Sequence, residues 1–140
     1  MISRLTLTIL AVLALLLSAS ARADGIVVII NKDNPSAVDL AYVARIYTGA
    51  TMRWPDGSPV FALDQAEDSA ARAQFAAAVV GRSVPALRGI WSQNIFAGKG
   101  LPPKVASPDS EMKRMVAQNR HAIGYVLSSQ VDDTVKVVGR

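Results

Sequence analysis

Few residues of this chain are equipped for catalysis or metal binding, and their spacing argues against both. His121 is the single histidine and there is no cysteine, so neither a histidine pair nor a thiolate is available for a zinc site. The carboxylates, Asp132-Asp133 included, do not follow the alternation of an EF-hand loop. Gly98-Lys99-Gly100 lacks the spacing and the following Ser or Thr of a Walker loop, and reads as a turn between helices. A serine nucleophile needs a base and an orienting acid, often on a Gly-x-Ser-x-Gly turn, and that phrase is absent. His121 with Ser128 or Ser129 has the residue types of a triad and nothing further. The chain therefore reads as a non-enzyme with no catalytic residues, no metal and no cofactor.

The elements that position the remaining polar residues follow from pattern. Ile26 to Ile30 is a continuous β-branched run ended by Asn31-Lys32-Asp33-Asn34-Pro35, the signature of a buried strand. Asp39 caps a helix through about Tyr47, with Leu40, Val43, Ile46 and Tyr47 on one face and Gly49 as its stop. Arg53 to Pro59 is turn chemistry, and Val60 to Asp64 makes a second strand. Asp68 or Ser69 begins another helix, whose Ala71, Phe75, Ala78 and Val79 share a face and which Gly81 ends. A helix from about Pro85 carries Leu87, Ile90 and Trp91, and one opened by Ser107 or Asp109 carries Met112, Met115 and Val116. Ala122 to Leu127 and Thr134 to Val138 complete the strands, so the class is α/β: a mixed sheet flanked by about four helices. Trp54 and Trp91 read as packing residues, while Tyr47 and Tyr125 suit a core or a rim equally.

Composition and the N-terminal residues bear on compartment. Arg4, the apolar run Leu5 to Leu17 and the small-residue site Ala21-Arg22-Ala23 have the layout of a secretory signal peptide over residues 1–23, cleaved before Asp24. Residues 24–140 then form one domain, secreted and periplasmic. Without Arg4 and Arg22 the net charge of +4 falls by two, and the basic residues are scattered, so no nucleic-acid partner is expected. The core must hold by packing, without disulfides.

Several phrases in order carry a resemblance. Ile29-Ile30-Asn31-Lys32-Asp33-Asn34-Pro35, Ile46-Tyr47-Thr48-Gly49 with Arg53-Trp54-Pro55-Asp56-Gly57, Trp91 with Ile95-Phe96-Ala97-Gly98-Lys99-Gly100 and Pro102-Pro103, and Ala122-Ile123-Gly124-Tyr125-Val126 resemble small members of the phosphate ABC transporter substrate-binding family. The resemblance implies one lobe of a type II periplasmic binding protein-like fold, in which two α/β lobes close on a tetrahedral oxyanion. Enclosing a ligand would then require a partner or a second copy, a homodimer included.

The family's Gly-Ser-Gly-Thr-Arg phrase, with a Phe three residues on, corresponds to Asp68-Ser69-Ala70-Ala71-Arg72 and Phe75. Free N–H groups and the dipole at a helix start favour an anion, so Ser69 and Arg72 are the expected donors, with Asp68, Ala70 and Gln65 around them. Two departures weaken that set. Ala70 and Ala71 replace Gly and Thr, and Gln65 stands where larger receptors carry an Arg. An ordinary helix cap by Asp68 or Ser69 is the competing reading of the same residues. The implied function is a solute-binding-like protein associated with phosphate or another oxyanion, in ABC transport with a permease. The alternative is a sensory or protein-interaction module, engaging a membrane sensor, that kept the lobe and lost tight ligand binding.

Overall fold

In the computed structural model, which describes residues 24–139, the β-branched run forms β1 (Ile26–Asn31), an inner strand of a five-stranded sheet. The other elements are α1 (Leu40–Tyr47), β2 (Phe61–Asp64), α2 (Ala70–Phe75, continued by a π-helical turn Ala76–Val80), α3 (Val84–Phe96), β3 (Lys104–Val105), α4 (Asp109–Gln118), β4 (Ala122–Leu127) and β5 (Val135–Val138). The signal peptide expected over residues 1–23 lies outside the described residues. Among the described residues no helix is long and apolar enough to cross a membrane.

The strand order is β3-β2-β4-β1-β5; β1 runs antiparallel to β4 and β5, and β2 is parallel to β3 and β4. The class is α/β with a mixed sheet and four helices, as the pattern of elements implied. Helices cover both faces, which is why β1 and β4 read as unbroken apolar runs rather than alternating ones. Val28, Ile30, Ile123 and Tyr125 face α1, α2 and α3, while Ile29, Leu63, Ala122 and Val126 face Met112 and Val116 of α4.

The helices start and stop on recognisable chemistry. The Asp39 carboxylate accepts from Tyr42 N at 2.8 Å, Ser69 Oγ from Arg72 N at 3.1 Å, and Ser83 Oγ from Ala86 N at 3.2 Å. Gly49 follows α1 with φ +79°, and a Cβ there would stand 2.6 Å from Asn94 Nδ2 and 3.0 Å from the Trp91 ring. That close approach lets α3 satisfy the free carbonyls at the end of α1: Trp91 Nε1 donates to Tyr47 O and Asn94 Nδ2 to Thr48 O. Trp54 and Trp91 are both buried, as packing residues should be, and Trp54 Nε1 donates to His121 O at 3.0 Å.

Three details depart from the sequence pattern. Helical spacing put Ala78 on the apolar face of α2, but Phe75, Ala76 and Val80 are buried and Ala78 is exposed. The π-helical turn adds a residue per turn, which brings Phe75 and Val80, five apart, onto one core. Leu40, at the start of α1, packs beside Gly139 and stays 38 % exposed. The two-residue edge strand β3 has no counterpart in the pattern, since two residues carry no periodicity.

Candidate functional site

The polar centre of the molecule is built at the end of β2. Asp64 is the last residue of that strand and its side chain enters the face covered by α1, α2 and α3, where it is buried. Its Oδ1 accepts from the Tyr125 hydroxyl and, at 2.9 Å, from Gln65 N. Tyr125 stacks on Phe75 with ring centroids 3.8 Å apart, and Tyr47 meets the same Phe75 edge-on at 4.6 Å. The Tyr47 hydroxyl donates to Leu63 O at 2.6 Å. Both phenols are therefore core groups, and burial, reinforced by the Asp64 charge, pushes their pKa values well above the usual tyrosine range.

Arg72 reaches this centre from the first turn of α2. Its Nε stands 3.5 Å from Asp64 Oδ2, and its Nη1 donates to Gln65 O at 3.4 Å. The side chains of the pair are 15 % and 9 % exposed, so this ion pair is screened far less than a surface one. Buried Arg72 Nε makes no hydrogen bond of normal geometry among the described residues.

Four of the residues singled out from sequence gather at the start of α2 and one turns away. Ser69 is the N-cap; its oxygen accepts from Arg72 N, and its hydroxyl hydrogen is left to donate elsewhere. Asp68 and Ala70 are exposed on either side of it. Gln65 is buried and points across the sheet, where Nε2 donates to Asp109 Oδ1 at 2.7 Å and to Tyr125 O at 3.1 Å. Both of its amide hydrogens are spent on α4 and β4, because alternation along the extended chain sends residue 65 opposite to Asp64.

Between α2, α3 and the 102–105 segment lies a cleft of about 240 Å³. Asp64, Arg72, Arg88 and Ser92 supply its polar groups, and Trp91 and Pro103 are among its apolar walls. Arg88, four residues before Ser92 on α3, pairs with Glu67. The two guanidinium groups thus each face a carboxylate, and Asp68 adds a third acidic group beside Arg88. An oxyanion entering here meets cations that are already paired, so binding must displace or share those carboxylates. Sequence reasoning missed Asp64, Arg88 and Ser92. The signals were a carboxylate closing an apolar strand and an i, i+4 polar pair on α3. Among the described residues no cluster of three metal-ligating side chains occurs.

The fold has counterparts among solved structures. A phosphate ABC transporter substrate-binding protein of Clostridium perfringens, solved with phosphate bound, is 27 % identical with a TM-score of 0.65, covering 82 % of this chain and 44 % of that one. An ABC-type phosphate transport receptor of Vibrio cholerae matches at 21 % identity and a TM-score of 0.63, over 82 % of this chain and 45 % of the receptor. PstS of Borrelia burgdorferi shares the fold at 10 % identity and a TM-score of 0.61, over 82 % and 46 %. No family model matches the sequence, and no curated protein does. The chain has the fold of one lobe of a phosphate ABC transporter substrate-binding protein, and spans less than half the length of the receptors it matches.

Proposed function

We propose that this chain is a secreted, periplasmic solute-binding protein, not an enzyme, that takes phosphate or another oxyanion at the start of α2. The observation that carries this reading is the polar cleft of Asp64, Arg72, Arg88 and Ser92, set in a fold shared with a receptor solved with phosphate bound. The contacts are Arg72, which lines that cleft, and Ser69 with the free N–H groups at the helix start, which stand outside the cleft's lining. Residues 1–23 act as the signal peptide that delivers it. A transport role would add a permease partner.

The internal pairing of Arg72 with Asp64 implies weak capture, because an incoming anion competes with a carboxylate already in place. Calorimetric titration with phosphate and sulfate tests the reading: saturable binding that Ser69→Ala and Arg88→Ala each weaken, with the protein still folded, supports it. A folded protein that takes up neither anion at millimolar concentration in low salt overturns it.

That same pairing, with exposed Ile95, Phe96, Leu101 and Val105 beside the cleft, favours a second reading in which the lobe serves as a sensory or protein-interaction module. Specific recovery of a membrane sensor or permease in a pull-down, from a protein that takes up no anion, would select it.

A further inference from the structure

Asp64 keeps an acceptor that no group of the protein uses. Its Oδ1 takes the Tyr125 hydroxyl and Gln65 N, whereas Oδ2 accepts no hydrogen bond among the described residues. The side chain is only 9 % exposed and lines the polar cleft. Arg72 stands beside it with donors to spare: Nε is 3.5 Å from Oδ2 without normal hydrogen-bond geometry, and Nη2 donates to nothing among the described residues. A carboxylate oxygen withdrawn from water without a donor carries a cost that a ligand N–H group removes. Ser92 adds a second acceptor, because its hydroxyl hydrogen is spent on Arg88 O at 2.9 Å and only its lone pairs remain for a ligand.

The charges of the cleft are already matched, Asp64 to Arg72 and Glu67 to Arg88. A simple anion that takes either guanidinium leaves a carboxylate without its partner, and at Asp64 that carboxylate is buried. A ligand with an ammonium next to its carboxylate leaves none, since it supplies one cation for each anion. The rest of the cleft is apolar. Leu87, Trp91 and Ile95, four residues apart on α3, form one stripe beside the polar stripe of Arg88 and Ser92, and the 102–105 segment adds Pro103 and Val105. Ile95 is 49 % and Val105 57 % exposed, so these walls stand open to water. A dry cavity of about 150 Å³ takes benzene. A cleft of about 240 Å³ therefore has room for a four-carbon side chain and a charged head group.

We infer that the ligand of this cleft is an α-amino acid with a branched aliphatic side chain of leucine size. Its ammonium donates to Asp64 Oδ2 and Ser92 Oγ, its carboxylate lies on the Arg72 and Arg88 guanidinium groups, and its side chain covers Ile95 and Val105. An acceptor and a cation 3.5 Å apart suit two head groups carried on one carbon. Glu67 is released to water, to which its side chain is already half open, and an exposed pair of this kind contributes little. The inference rests on the solute-binding reading of the cleft and deepens it, because the oxyanion becomes the carboxylate of a zwitterion.

Calorimetric titration of the purified protein with four matched probes tests it. Leucine carries all three parts, glycine lacks the side chain, 4-methylpentanoate lacks the ammonium and 3-methylbutylamine lacks the carboxylate. Leucine should bind saturably, and each of the other three at least about tenfold more weakly, as expected when a polar partner or an apolar body is left unmatched. Two variants at half-exposed side chains, which the fold tolerates, locate the site. Arg88→Ala should erase most of the advantage of leucine over 3-methylbutylamine, and Ile95→Ser should narrow its advantage over glycine. A folded protein that does not take up leucine, 4-methylpentanoate or glycine binding as tightly as leucine, or leucine binding that neither variant weakens would overturn the inference. Phosphate titrated alongside separates the two readings. Saturable phosphate without leucine overturns this inference and leaves the proposed function standing, uptake of neither overturns both, and leucine without phosphate supports the zwitterion.

Discussion

The two faces of the same sheet are built on different chemistry. Under α4 Ile29, Leu63, Ala122 and Val126 meet Met112 and Val116, and the buried polar groups there, Gln65 and Asn31, are uncharged amides bonded to α4. Under α1, α2 and α3 the core contains the Tyr125–Asp64 hydrogen bond and Tyr47, whose hydroxyl donates to Leu63 O, and it is open at the cleft that Tyr47, Asp64 and Arg72 line. One helix suffices to seal the first face. The second needs three, whose junction leaves the cleft. The difference teaches where a site can form in this lobe, because a polar centre needs several elements whose ends converge and whose gap is not filled by side chains.

The strongest way to break the contrast is to truncate each core. Phe75→Ala, which removes the ring stacked on Tyr125, should cost about 3–5 kcal/mol, and Met112→Ala under α4 about 2–5 kcal/mol. Urea denaturation would measure both, and a cost below about 1 kcal/mol at either site would show that its face is not a packed core. Tyr125→Phe sharpens the contrast, because it leaves the packing and removes the hydroxyl that donates to Asp64. A buried carboxylate stripped of one donor predicts a loss of about 1–3 kcal/mol. A neutral result would mean that water replaces the hydroxyl.

Alkaline pH acts on the polar face alone. The folded-state pKa values of Tyr47 and Tyr125 are raised by burial and by the Asp64 charge, whereas phenols of the unfolded chain ionise near pH 10 as an ordinary value. The neutral phenols therefore stabilise the fold fully below about pH 10, and that contribution is lost as pH rises further. Tyrosinate absorbance from these two residues should grow in step with loss of circular dichroism, and Tyr125→Phe should lessen the slope.

The smallest effect is expected at the surface beside α4. Thr134 and then Lys113 hold the Asp132 carboxyl down at about 2. This depressed value stabilises the fold above the usual carboxylate range and is lost as pH falls through about 2. Asp132→Asn should therefore shift the urea midpoint slightly at neutral pH and not at all in strong acid.

Much of the frame was legible before the structure. The runs 26–30 and 122–127, the cap Asp39, the cap of α2 at Asp68 or Ser69, and the stops Gly49 and Gly81 are local signals, set by propensity and hydrogen bonding within a few residues. The site was legible only in part. Ser69, Arg72, Asp68 and Ala70 sit together because one helix start carries them. Gln65 could not be placed, because alternation beyond the end of β2 decides its direction, and Asp109 on α4 decides its partner. Asp64 was the larger omission: as the last residue of a strand it reads as an ordinary polar stop, and only α2 laid over β2 brings Arg72 to it.

By itself, then, the sequence determined the elements other than β3 and the π-helical turn, the class and the helix start on which an oxyanion reading rests, since those depend on neighbours within a turn or a strand. The tertiary structure alone decided that Arg72 is already paired, that Arg88 and Ser92 share its cleft, and that Phe96 is left exposed at the end of α3. Each of those facts joins groups from elements distant in the chain, and charge pairing and exposure depend on distance in space.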